Sequence, residues 1–163
     1  MNRTIRVVFW LMAVVALTQA VWHYQHLPER VAVHFDARGN ANGWTTRHQN
    51  LVTQCGLVLL VAGLMQGLAW GLPRMPANLI NLPHRDYWLA PPRRAATFEW
   101  LGAMLLAMGS VLLGFFVGLF HAVWRANAAE NQRLEFSLAG AIGAMTLLTV
   151  CVVGSMLRRF RKP

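Results

Sequence analysis

LVTQCGLVLLVAGLMQGLAWGL, residues 51–72, runs for 22 residues without a charge. At about 1.5 Å per residue, a helix of that length crosses the roughly 30 Å hydrocarbon core of a bilayer. Three further runs have the same character: Ile5 to Tyr24, Phe98 to His121 and Phe136 to Leu157. The runs at 51–72, 98–121 and 136–157 hold no Lys, Arg or Asp, and Glu99 stands at the very start of its run, within reach of the interface. Arg3 precedes the first run and Arg6 stands at its start, as in a signal peptide, but it ends in the bulky Val21-Trp22-His23-Tyr24 rather than a small-residue cleavage site. It reads as an uncleaved first span.

The rest of the composition agrees. Hydrophobic residues make up 56% of the 163 and charged residues 13%, about half the charged share of a soluble domain, roughly 25%. The net charge of +9 would suggest nucleic acid in a soluble chain, but no basic face with interleaved aromatics exists outside the apolar runs. The basic residues instead set orientation. Ten of the 15 precede the first span, lie between the second and third, or follow the fourth. Among them are Arg74, Arg85, Arg93, Arg94 and Lys162. The remaining five, Arg30, Arg38, Arg47, Arg125 and Arg133, lie in the other two connections. The positive-inside rule places the ten in the cytoplasm. Trp22 and Trp124 then fall at the outer interface, with Trp70 and Trp100 at the inner one.

The expectation is an all-α membrane protein with four transmembrane helices, N-in and C-in, forming a single membrane domain over 1–163. It has an outer loop at 25–50 and an inner loop at 73–97. In the outer loop, Val31-Ala32-Val33-His34-Phe35 alternates like a short strand, and the turn-rich Asp36 to Gly43 follows. The inner loop holds five of the seven prolines and is expected to be irregular along the inner surface.

Chemistry-bearing residues are few. His23, His26, His34, His48 and His121 gather toward the outer side. His23 and His26 would share a helix face, and His34 and Asp36 would point the same way from a strand. A zinc or copper site built on His23, His26, His34 and Asp36 therefore stands beside the plainer reading of solvated interfacial histidines, and beside pH sensing. Cys55 and Cys151 have no nearby second cysteine and read as small apolar residues. Gly63, Gly67 and Gly71, spaced by four, fit either close packing within the bundle or a homodimer or membrane-complex face. Intramembrane polar residues, among them Thr18, Gln19, Gln54 and Gln66, are uncharged, which argues against active transport, with Glu99 the one candidate ionisable group. No nucleophile elbow or phosphate loop occurs, and the six acids are scattered. No catalytic residue and no cofactor is assigned.

The outer stretch Leu27-Pro28-Glu29-Arg30-Val31-Ala32-Val33-His34-Phe35-Asp36, with Gly39, Gly43 and Trp44, resembles the bacterial membrane family known as domain of unknown function 1648. The inner stretch Asn81-Leu82-Pro83-His84-Arg85-Asp86-Tyr87-Trp88-Leu89 is similar to that family's second motif, which carries Asn where this chain has His84. The resemblance spans about residues 5 to 100. It implies a multi-pass protein of the bacterial inner membrane, related to the N-terminal part of SdpI-type immunity proteins. Those are longer, with additional spans. Carried over by residue, it marks Pro28, His34, Asp36, Gly39 and Trp44 as an outer ligand or loop motif. It marks Asn81, Pro83, Asp86, Tyr87 and Trp88 as a cytoplasmic one. The implied function is non-enzymatic: sensing, ligand binding or immunity, with the 25–50 loop recognising a peptide or envelope component. A metal-linked carrier or enzyme, and a structural subunit of a membrane complex, remain the other readings.

Overall fold

The computed structural model describes residues 2–129, 131–135 and 138–161. Phe136, the expected start of the fourth span, Glu130 and the tail charge Lys162 lie outside the described residues. The elements run α1 (Asn2–His26), β1 (Arg30–Phe35), β2 (Ala41–Thr46), α2 (Arg47–Gly71), two 3-10 turns (Leu72–Arg74 and Ala77–Leu79), a one-turn helix α3 (Arg85–Trp88), α4 (Pro91–Ala128) and α5 (Leu138–Phe160). Helices α1, α2, α4 and α5 are each long and apolar enough to cross a membrane.

Three of these helices share one core. On α1, Phe9, Ala13, Ala16, Ala20 and His23 are buried at steps of three and four, a single inward stripe. Val58, Val61 and Ala62 of α2 and Leu106, Leu113 and Phe120 of α4 close against it. The alanines let α1 approach its neighbours closely. Gly109 of α4 completes the crossing: a Cβ there would stand 2.6 Å from Phe9 Cε2 and 3.0 Å from Met65 Cγ. Helix α5 leans on α4, and large side chains such as Leu59, Leu60, Leu64, Leu147 and Leu148 stay exposed, facing the space that lipid fills. The glycines Gly63, Gly67 and Gly71 belong to that outward surface. Among the described residues, a Cβ on any of them meets nothing within 4 Å, so close packing against the described helices does not require them. The helix contacts that need small residues fall to Gly109 and, opposite Ala69, to Gly102.

The helices extend past the apolar runs. α2 begins at Arg47 because Thr46 and Gln49 form a capping box, with the Gln49 N–H donating to Thr46 Oγ1 at 3.1 Å. α4 has 38 residues, about 57 Å, and starts at the Pro91-Pro92 pair, where a missing N–H costs nothing. Its far end carries Ala126 and Asn127 out to the hairpin.

The expected strand at 31–35 pairs with a second one. β1 and β2 form an antiparallel hairpin with register shifts around His34. The second strand, Ala41–Thr46, covers Gly43 and Trp44 at the end of the turn-rich stretch. At the opposite end of the bundle the proline-rich connection folds into a compact plug. Ile80, Leu82 and Leu89 bury with Phe98, Trp100, Leu101 and Phe160. Trp100 is therefore a core residue on the Phe160 ring (5.3 Å between centroids), not an exposed member of an interfacial belt.

Candidate functional site

The hairpin is held at its tip, its edge and its base. At the tip, Asp36 Oδ1 accepts the N–H groups of Arg38 (2.8 Å) and Asn40 (2.9 Å), and Oδ2 accepts the Asn40 side-chain amide at 3.1 Å. The Asn40 backbone and side-chain donors, helped by the Arg38 N–H and the positive charge of Arg133, hold the Asp36 carboxyl below its ordinary value against the opposing effect of desolvation. Gly39 takes φ +83°, a left-handed conformation that glycine adopts without strain. Its carbonyl accepts the Leu134 N–H at 2.8 Å, and a Cβ would sit 2.6 Å from the Leu134 oxygen. Arg133 Nε donates to the Arg38 carbonyl at 3.1 Å. The third connection is thus clasped to the hairpin tip.

Along the edge, Asn127 reads the strand like a neighbouring strand would. Its Oδ1 accepts the Ala32 N–H at 2.7 Å, and its Nδ2 donates to the Ala32 carbonyl at 2.9 Å and to Val123 at 2.9 Å. Both residues are buried, Ala32 completely. At the base, the Arg47 side chain pairs with Glu29, its N–H donates to the Glu29 carbonyl at 3.0 Å, and its guanidinium lies 4.9 Å from the Tyr24 ring.

Held in this way, the hairpin presents a short exposed surface. Trp44 is 41% exposed, directly across from Ala32, with the Arg30 guanidinium 4.6 Å from its ring. The His34 imidazole is exposed and lies over Gly43, where a Cβ would stand 2.9 Å from its Cβ and Cδ2. Glycine at 43 is what makes room for that ring. Pro28 sits in the bend between α1 and β1. The five outer candidates therefore divide: Asp36 and Gly39 build the turn, Pro28 shapes the entry, and His34 and Trp44 face outward.

The candidate metal set is not assembled. His23 is buried (1% exposed) among aromatic rings, stacked on Trp124 at 5.5 Å and beside His121 at 5.9 Å. His26 stacks on Trp22 at 4.2 Å and donates from Nδ1 to the Trp22 carbonyl at 2.7 Å. His34 lies on the hairpin surface, and the Asp36 oxygens are spent on backbone and amide donors. Among the described residues, no three His, Cys, Asp or Glu side chains are grouped so that they could hold a metal ion. A chelating set needs its donors converging on one point, and these stand on separate faces. His23 keeps both ring nitrogens without a hydrogen-bond partner among the described residues, as do Gln54 Oε1 and Trp124 Nε1.

The inner candidates build a clamp. Trp88 meets Phe160 edge-on at 5.2 Å, and its carbonyl accepts the Thr97 hydroxyl at 3.0 Å. The Arg93 guanidinium lies 3.7 Å from the Tyr87 ring, and its Nε donates to the Tyr87 carbonyl at 2.8 Å. Asp86 is exposed and, among the described residues, its carboxylate pairs with its neighbour Arg85 at 3.3 Å. Asn81 and Pro83 flank the buried Leu82. His84 takes φ 51°, where asparagine is more at ease, and its Nε2 donates to the Arg161 carbonyl at 3.2 Å. This tie to the C-terminal tail is available to a ring that reaches further than an asparagine amide.

Asn127 was not among the sequence candidates. It lies beyond the apolar run that ends at His121, and no periodicity distinguishes a strand-capping asparagine from a solvated one.

Residues 9–53 match the family model described as Domain of unknown function (DUF1648). The matched segment takes in most of α1, the whole hairpin and the first turns of α2. It is shorter than the expected resemblance and leaves the inner clamp outside. No curated protein and no solved structure matches the chain.

Proposed function

We propose, with the DUF1648 segment at residues 9–53 as the premise, that this is a non-enzymatic binding protein of the bacterial cytoplasmic membrane. Its termini lie inside, and its outer hairpin recognises an extracytoplasmic peptide or envelope component in a sensing or immunity role. One observation carries the reading. The hairpin is fixed by Asp36, Gly39 and Asn127, while the side chains of Arg30, His34 and Trp44 turn outward and, among the described residues, make no hydrogen bond or ion pair, only the Arg30–Trp44 contact and the packing of His34 on Gly43. A surface held rigid before its ligand arrives loses less entropy on binding.

The test is protection. Cells producing the protein are challenged with a panel of secreted, membrane-active peptides, beside cells producing His34→Ala and Trp44→Ala at equal membrane levels. Protection by the parent, weakened about tenfold or more in either variant, supports the reading, since one aromatic anchor contributes that order. Equal behaviour of parent, variants and empty cells overturns it.

The outward glycine face favours a second reading, a subunit of a membrane complex, because among the described residues nothing lies within 4 Å of a Cβ added at Gly63, Gly67 or Gly71. A cysteine at Gly67 that cross-links to a partner in native membranes would support it.

A further inference from the structure

At the end of the bundle where the termini lie, α1, α2 and α4 enclose an open cleft of about 700 Å³. Its lining is apolar and buried at Ala103 and Leu106, whereas Arg6, Arg74 and Glu99, with Trp10 and Trp70, line it as exposed side chains and Gln66 as a half-buried one. Arg74 is already positioned: its Nη1 donates to the Trp70 carbonyl at 2.7 Å, and its guanidinium lies 3.9 Å from the Trp70 ring. Glu99 lines the same cleft yet has no hydrogen bond or ion pair among the described residues, and neither has Arg6. Two cations and one anion thus share a single recess without neutralising one another.

This recess lies at the depth of the inner headgroups. The basic residues and Trp70 mark that level, and the apolar floor continues toward the bilayer interior. Unpaired charges at the edge of hydrocarbon are costly, so the contents of the cleft must answer both signs. An anionic headgroup would satisfy the arginines and be repelled by Glu99. A cationic one would do the reverse. We propose that the cleft binds a zwitterionic aminophospholipid, with its phosphate on Arg6 and Arg74, its ammonium on Glu99 and an acyl chain along Ala103 and Leu106. Arginine suits the phosphate because its planar donors match the phosphate oxygens. A free headgroup would leave the apolar floor uncovered, so the lipid is the occupant. The inference stands apart from the outer hairpin and from any ligand there.

Native mass spectrometry of the full chain in detergent tests it, with equimolar phosphatidylethanolamine and phosphatidylglycerol of identical chains. The parent should retain the ethanolamine lipid over the glycerol lipid by about fivefold, the order that one interfacial ion pair contributes. Glu99→Gln keeps the shape and removes the charge, and should erase or invert that preference. Arg6→Gln with Arg74→Gln should lose both lipids, and Ala95→Trp, at the rim, should exclude both from a protein that still elutes as a folded species. Equal or reversed preference in the parent overturns the proposal, as does a ratio that Glu99→Gln leaves unchanged. Displacement of the lipid by soluble phosphoethanolamine overturns the lipid as the source.

Discussion

Replacing Asn127 by alanine should release the hairpin from the bundle while leaving the membrane core intact. The side chain makes two hydrogen bonds to Ala32, at 2.7 and 2.9 Å, and Ala32 is fully buried. The substitution therefore orphans one N–H and one C=O in a place water does not reach. Each buried, unsatisfied group costs about 1–3 kcal/mol. Because the hairpin lies outside the hydrocarbon and can admit some water on relaxing, the low end applies, about 2 kcal/mol for the pair. That corresponds to about a 30-fold larger local opening constant. Hydrogen exchange read by mass spectrometry on the β1 peptide, under conditions where exchange follows the opening equilibrium, measures it directly. The β1 amides should exchange about 30-fold faster, and amides around Leu113 in mid α4 should not change. Asn127→Asp keeps an acceptor for the Ala32 N–H and loses the donor to its carbonyl, so it should fall between parent and alanine variant. Exchange within about threefold of the parent in Asn127→Ala would refute the argument that this amide holds the strand.

Gly109→Ala places a Cβ 2.6 Å from the Phe9 ring and should cost about 1–3 kcal/mol in thermal or denaturant unfolding in detergent. Gly67→Ala, with open space around it, should stay within about 0.5 kcal/mol. Gly39→Ala forces a side chain into φ +83° against the Leu134 oxygen and should detach the third connection, read as faster exchange at Arg133 and Leu134. Asp36 has a folded-state pKa below its ordinary 3.8. Its contribution to the hairpin tip is therefore fully present above that value and is lost as pH falls through the lower folded value. Protection of the Asn40 amide should hold steady above about pH 5 and decline on further acidification, and Asp36→Asn should flatten the response.

The membrane spans were legible because lipid imposes a crude demand, some 20 apolar residues in a row, that any arrangement of the helices must meet. The helix extensions were not, since Thr46 and Gln49 are polar, Arg125 and Asn127 interrupt the apolar run of α4, and the helicity there rests on a cap and on the hairpin. The strand at 31–35 showed its alternation, whereas its partner was hidden by Gly43, a strand glycine whose reason is the His34 ring across from it. The glycine spacing on α2 was plain, but spacing alone does not say which face meets a neighbour. Gly109, without any pattern, is the helix glycine where a Cβ would run into the core, 2.6 Å from the Phe9 ring.

The site followed the same division. Residue types at His34, Asp36, Gly39 and Trp44 singled out the outer loop, and the sequence alone determined that this loop and the proline-rich one lie on opposite sides of four apolar segments. Tertiary structure alone decided what each residue does: Asp36 binds its own turn, His23 is sealed among rings, His84 and Trp88 hold the C-terminal end, and Asn127 holds a strand 95 residues away. The reason is physical. Partition into lipid depends on a local sum of side-chain hydrophobicities, which can be read along the chain. Hydrogen bonds and charge pairs depend on distances of about 3 Å between residues remote in sequence, and those exist only once the helices have packed.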